Sequence, residues 1–141
     1  MRRRKEGFSL VELLIVLAVM AALIATITPV ALNAIRKARA TKVAQDLQAL
    51  ASSFENYVYV NDAVPTTFSQ LGRDIDESAY GLGYTLTDGT YQVTVGATGN
   101  VTLDAVNDVL ANATSSASET VDDYGTNITS GIFYNFEFQV Y

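Results

Sequence analysis

GFSLVELLIVLAVMAALIATITPVALN, residues Gly7–Asn33, is a long apolar run with one acid, Glu12, near its start and one proline, Pro29, near its end. After Glu12 no charge appears until Arg36. More than about twenty successive residues can therefore sit in hydrocarbon, enough for a helix to cross a bilayer. Three features need a physical account: a carboxylate inside an apolar segment, a proline inside a helix, and a basic leader ending in glycine. A carboxylate is costly in such surroundings unless it is paired. Pro29 has no amide hydrogen, so its bond to the Ala25 carbonyl cannot form, and its ring crowds that turn. Thr26 and Thr28 are placed to satisfy groups freed nearby.

Composition bounds the rest. The 141 residues suit one domain once the apolar arm is set aside, and the chain beyond Asn61 is long enough for only a modest core. It has no cysteine, which excludes disulfides and thiolate zinc sites, and no histidine, the commonest general base and zinc ligand. A catalytic role is disfavoured on these grounds, and no cofactor is expected. The charge is unevenly divided. Arg2, Arg3, Arg4 and Lys5 precede Gly7; Arg36, Lys37, Arg39 and Lys42 follow the apolar run; beyond them Arg73 stands alone among many acids. Such an acidic surface repels phosphate backbones, so direct nucleic-acid binding by it is not expected.

The apolar core is too long for a secretory signal peptide, and no small-residue cleavage site closes it. The small residue, Gly7, lies before the core instead. A cut there would remove the basic leader and leave the hydrophobic segment in place.

This arrangement resembles the type IV pilins and the related type II secretion pseudopilins. The resemblance rests on the basic leader, Gly7 and FSLVELLIVLAVMAALIATITP, is specific over roughly residues 4–39, and fades after Tyr59. It implies cleavage between Gly7 and Phe8 by a prepilin peptidase, with methylation of the new amino group on Phe8. Glu12 matches the acid the family carries shortly after the cut, and Pro29 its mid-arm proline. An amine at Phe8 would lie one helical turn from Glu12, able to neutralise it within a chain or between subunits. Pairing between subunits is expected, because it would reward correct register. At Pro29 the resemblance implies local melting as the arm moves from bilayer to filament core. Many pilins have a glycine where this chain has Ala21 and Ala22, so melting here would rest more on the proline. Many also close their C-terminal region with a disulfide, which this chain cannot make.

Four basic residues flank the run on each side, so the positive-inside count is close to a tie. The resemblance implies a leader in the cytoplasm, a head outside the inner membrane, and later a place in a surface pilus.

From Arg36 the pattern becomes amphipathic. Val43, Leu47, Leu50, Phe54 and Tyr57 fall on one helical stripe. One continuous helix is expected from about Phe8 to Val60, roughly 80 Å long at the usual rise. Its first half has no head to cover it, so it needs a bilayer or a bundle of its own copies. Asn61-Asp62 ends the helix and Pro65 prevents its return. PTTFSQLGRD predicts a helical turn capped by Thr66 or Thr67, with Phe68 and Leu71 inward and Gly72 ending it.

Residues 84–87 and 91–95 alternate around Asp88-Gly89, a hairpin signal. Gly99-Asn100 predicts a turn. For 101–113 both strand and helix fit; a short strand at Val101 and Leu103, then a helix through Val106, Val109, Leu110 and Ala113, is expected. TSSASETVDD predicts a polar surface loop. IFYNFEFQVY predicts a strand with Ile132, Tyr134, Phe136, Phe138 and Val140 on one face, covering the amphipathic helix.

The expected fold class is α+β: a long N-terminal helix whose second half packs on a small antiparallel sheet. The expected parts are a leader 1–7, an apolar arm 8–35, an amphipathic half 36–61 and a head 62–141. Asp74, Asp76 and Glu77, or Asp122, Asp123 and Asn127, offer oxygen ligands for calcium but lack EF-hand spacing, and no metal site is expected. Asn100, Asn112 and Asn127 begin glycosylation sequons. The resemblance implies a non-enzymatic homopolymer served by prepilin peptidase, an inner-membrane assembly platform and ATP-driven motors. Motility, adhesion and DNA uptake are the roles it implies. A secretion pseudopilin and a non-polymerising membrane-anchored binding module are the alternatives.

Overall fold

The computed structural model describes residues 7–72, 75–99 and 101–141. The chain divides between Arg36 and Lys37 into two compact units. One helix, α1 (Leu10–Asn61), runs through that boundary, unbroken at Pro29. In the first unit every described residue is exposed, including Leu10, Leu13, Ile15, Leu17, Leu23 and Ile27. This part of α1 is long and apolar enough to cross a membrane.

In the second unit the remainder of α1 buries a stripe of Ala40, Ala44, Leu47, Leu50, Ala51, Phe54 and Val58. Val43 and Tyr57, expected on the same stripe, are only half-buried. Leu47, Leu50 and Phe54 are fully buried, each contributing about 1.5–3 kcal/mol. The helix ends where Asp62 turns left-handed (φ 48°), with its N–H still on the Val58 carbonyl at 2.9 Å.

A single 3-10 turn, Phe68–Leu71, follows Pro65. Phe68 and Leu71 point inward and Gly72 ends it, as expected. The capping differs from the expectation. Thr67 holds the cap position, but its hydroxyl lies 2.9 Å from that of Ser69, while Gln70 Oε1 reaches back to accept the Thr66 N–H at 2.6 Å.

The sheet has strands β1 (Tyr80–Thr87), β2 (Thr90–Ala97), β3 (Ala113–Thr114), β4 (Tyr124–Gly125) and β5 (Ile132–Gln139) in the order β3-β5-β2-β1-β4. All its pairings are antiparallel. The β1–β2 hairpin turns at Asp88 and Gly89, both at positive φ, which suits a two-residue turn. Both strands are longer than alternation predicted, because Gly81, Gly83, Thr94 and Gly96 on the second face are also buried. The expected strand at Val101 and Leu103 is absent: a short helix α2 (Leu103–Asn107) comes first and the strand, β3, follows it. Val101 and Leu103 instead pack half-buried against the core. Val106 and Leu110 face inward, while Val109 is exposed. The turn expected at Gly99-Asn100 falls partly on Asn100, outside the described residues.

One face of the sheet carries Tyr80, Leu82, Tyr91, Val93, Val95, Ala97, Ile132 and Phe138 against the α1 stripe. The other face is crossed by the chain between β3 and β5. Most of the TSSASETVDD loop is exposed as expected, but Val121 is buried with Ile128 and Phe133 in a second small core.

Candidate functional site

Gly7 and Phe8 lie in open chain just before α1, with Phe8 82 % exposed. A Cβ on Gly7 would meet nothing within 4 Å among the described residues. Residues 1–6, the rest of the expected leader, lie outside the described residues.

Ser9 occupies the position before the first helical residue, and Glu12 sits three further on. Glu12 Oε2 accepts the Ser9 backbone N–H at 2.8 Å, and Ser9 Oγ accepts the Val11 N–H at 3.3 Å. This is a capping box, in which an S-x-x-E pattern satisfies two of the N–H groups a helix start leaves unpaired. It turns the Glu12 carboxylate back toward Phe8, the residue whose nitrogen a cut after Gly7 would free. Glu12 Oε1 takes no hydrogen bond among the described residues. The sequence reading singled out Glu12 but missed Ser9, although the S-x-x-E signature was there to find.

Pro29 leaves the Ala25 carbonyl without its usual helical donor. The nearby threonines do not supply one: Thr26 Oγ1 donates to the Leu23 carbonyl at 2.9 Å and Thr28 Oγ1 to that of Ile24 at 2.7 Å. The weak turn around Ala25 is thus not repaired by its neighbours, contrary to the expectation. The structure brings Ser9 and Glu12 together; Pro29 lies more than four turns further along the same helix.

After the apolar run, Arg36, Lys37, Arg39 and Lys42 are all exposed. Lys42 Nζ lies 2.7 Å from Asp46 Oδ2, which also accepts the Tyr80 hydroxyl at 2.7 Å. Lys37 Nζ stands 3.9 Å from Asp108, an exposed pair of small value. Burial first, then the Asp46 carboxylate, push the Tyr80 phenol well above its ordinary range.

Two of the acids weighed as calcium ligands, Asp76 and Asp123, have local partners. Asp76 Oδ1 accepts the Ser78 N–H at 3.0 Å and its hydroxyl at 2.5 Å, a local turn that holds the carboxyl below its usual range. Asp123 Oδ2 accepts the Tyr84 N–H at 2.9 Å, and Asp74 lies outside the described residues. No group of three or more potential metal ligands occurs among the described residues. Asn112 and Asn127 are exposed.

Comparison with known proteins gives two likenesses, one of them at this end of the chain. The prokaryotic N-terminal methylation motif matches residues 2–28. Type II secretion system core protein G of Dickeya chrysanthemi is 33% identical over 72 residues, covering 51% of this chain and 47% of that protein. The chain thus spans about half the length of the curated relative it matches. No solved structure matches. With a methylation motif at its start, a long apolar helix behind it and a small antiparallel sheet on the helix's second half, the chain is similar to the type IV pilin-like proteins.

Proposed function

We propose that this chain is a structural subunit that polymerises into a type IV pilus filament and catalyses no reaction. The observation that carries this reading is the fully exposed apolar first part of α1. Such a surface is stable in a bilayer or in a bundle of copies, and a pilin-like precursor passes from the first to the second. Residues 1–7 act as the leader removed by prepilin peptidase between Gly7 and Phe8, and Phe8 is then N-methylated. Residues 8–35 anchor the precursor in the inner membrane and later line the filament core; 36–61 carry the head, 62–141, on the outside. An assembly platform and ATP-driven motors act as partners. Twitching motility, adhesion and DNA uptake are the functions such a filament would serve.

Glu12 is the assembly residue in this account. Its capped carboxylate keeps one oxygen for the amine at Phe8 of a neighbouring subunit, which rewards correct register. Pro29 is the point where the arm melts. Glu12→Ala is expected to leave leader removal intact and to lower sheared-filament yield about tenfold or more, since losing one partner of a desolvated pair costs several kcal/mol. Wild-type yield from Glu12→Ala would remove this role.

A second reading, a pseudopilin in a type II secretion system, is favoured by the name of the Dickeya relative. Deleting the gene separates the two. Loss of surface filaments marks the pilin, and loss of exported folded enzymes with filaments intact marks the pseudopilin.

A further inference from the structure

Removal of residues 1–7 would leave five basic residues against fourteen acidic ones, a formal net charge of −9 per copy. Packing many such copies side by side brings like charges together. Four of the five remaining cations fall within residues 36–42. Lys42 and Lys37 face Asp46 and Asp108 of their own chain, but Arg36 and Arg39 make no ion pair with any described residue. Both are exposed and stand three residues apart, so their guanidinium groups belong to neighbouring positions on the helix surface.

The complementary feature is a concavity of about 290 Å³ whose lining includes Glu77 and Asp123 together with Thr66, Thr67 and Ser69. Asp123 gives one oxygen to the Tyr84 N–H and keeps the other; Glu77 has no ion pair among the described residues. Two carboxylates and hydroxyl acceptors are what a planar guanidinium fits, more closely than an ammonium does.

We infer that Arg36 and Arg39 of one copy dock in the Glu77–Asp123 concavity of a neighbouring copy. The contact is heterologous, joining two different patches of the same surface, and so propagates along a filament rather than closing a dimer. It draws together copies that would otherwise repel. This inference rests on the polymerisation reading above and adds the surface through which heads engage.

The test is charge exchange in cells that make wild-type filaments. Arg36→Glu with Arg39→Glu, and separately Glu77→Arg with Asp123→Arg, should each lower sheared-filament yield about tenfold or more, with processed subunit still at its normal level in the membrane. All four substitutions together should recover yield to within about threefold of wild type. Normal yield from either pair, or no recovery in the combination, overturns the inference. So does a wild-type yield that collapses with a chelator, which would make a divalent cation the occupant. If the reversed variants fail to accumulate, Arg39→Cys with Asp123→Cys decides, because the chain has no other cysteine. A short thiol-to-thiol crosslinker applied to intact filaments should give a linked ladder; uncrosslinked filaments contradict the docking. Absence of filaments from wild-type cells would instead remove the polymerisation reading itself.

Discussion

Tyr80 ties the start of β1 to α1 through one carboxylate oxygen, since Asp46 Oδ2 receives both its hydroxyl and the Lys42 ammonium. Burial, and secondarily Asp46, favour the protonated phenol in the folded state. A group whose pKa is raised on folding stabilises the fold fully below its unfolded value, here near 10.0, and loses that contribution as pH rises through the folded one. Head stability should therefore fall as pH is raised above about 10. Tyr80→Phe should cost about 1 kcal/mol at neutral pH and make the alkaline fall shallower, as read by urea unfolding of the detergent-solubilised protein at pH 7 and above 10. An unchanged alkaline slope would mean the phenol is not the titrating group. The pair joins residues 34 apart, and nothing in their spacing announced it. Glu12 was legible because an acid in an apolar run stands out, and its partner Ser9 was legible but overlooked.

Among the elements, the chain between β3 and β5 is fastened to the sheet by hydrogen bonds and a small apolar cluster. It crosses the outer face of the sheet, where Thr94 Oγ1 donates to Asn135 Oδ1 at 2.7 Å, the Ser118 N–H reaches the same oxygen at 3.1 Å, and Asn135 Nδ2 reaches the Ser116 carbonyl at 3.1 Å. Val121, Ile128 and Phe133 close it with apolar contact. Its backbone runs so close to β1 that a Cβ on Gly83 would collide with the Thr120 carbonyl. Gly83→Ala should then destabilise the head by about 1–3 kcal/mol and raise protease cutting between Ser115 and Ser130; wild-type resistance would refute the close approach. Sequence reading found a polar loop here but not its grip, because polar residues that bond to one another look the same as solvated ones. Phe133 was hidden likewise, on the strand face assigned to polar residues. The long helix, the hairpin and the last strand were legible, since each repeats its period over many residues. Pro29→Ala restores the missing helical donor and should slow amide exchange around residues 25–29 in detergent about tenfold or more. Equal exchange rates would show that the proline is not the weak point.

At the scale of the whole molecule, two opposite surfaces belong to one chain: an apolar arm without cover and an acidic head. The filament proposed above would cover the arm, at the cost of bringing acidic heads together. The α+β plan was legible from the apolar run, the amphipathic half and the alternating strands. The order of the strands was not, because β5 slots between β3 and β2 by contacts far apart in sequence. Mass spectrometry of filaments sheared from the cell surface tests the central claim most directly. The account predicts an abundant N-terminal peptide that starts at N-methylated Phe8. An intact N-terminus at Met1, or a processed chain absent from the sheared material, would contradict it.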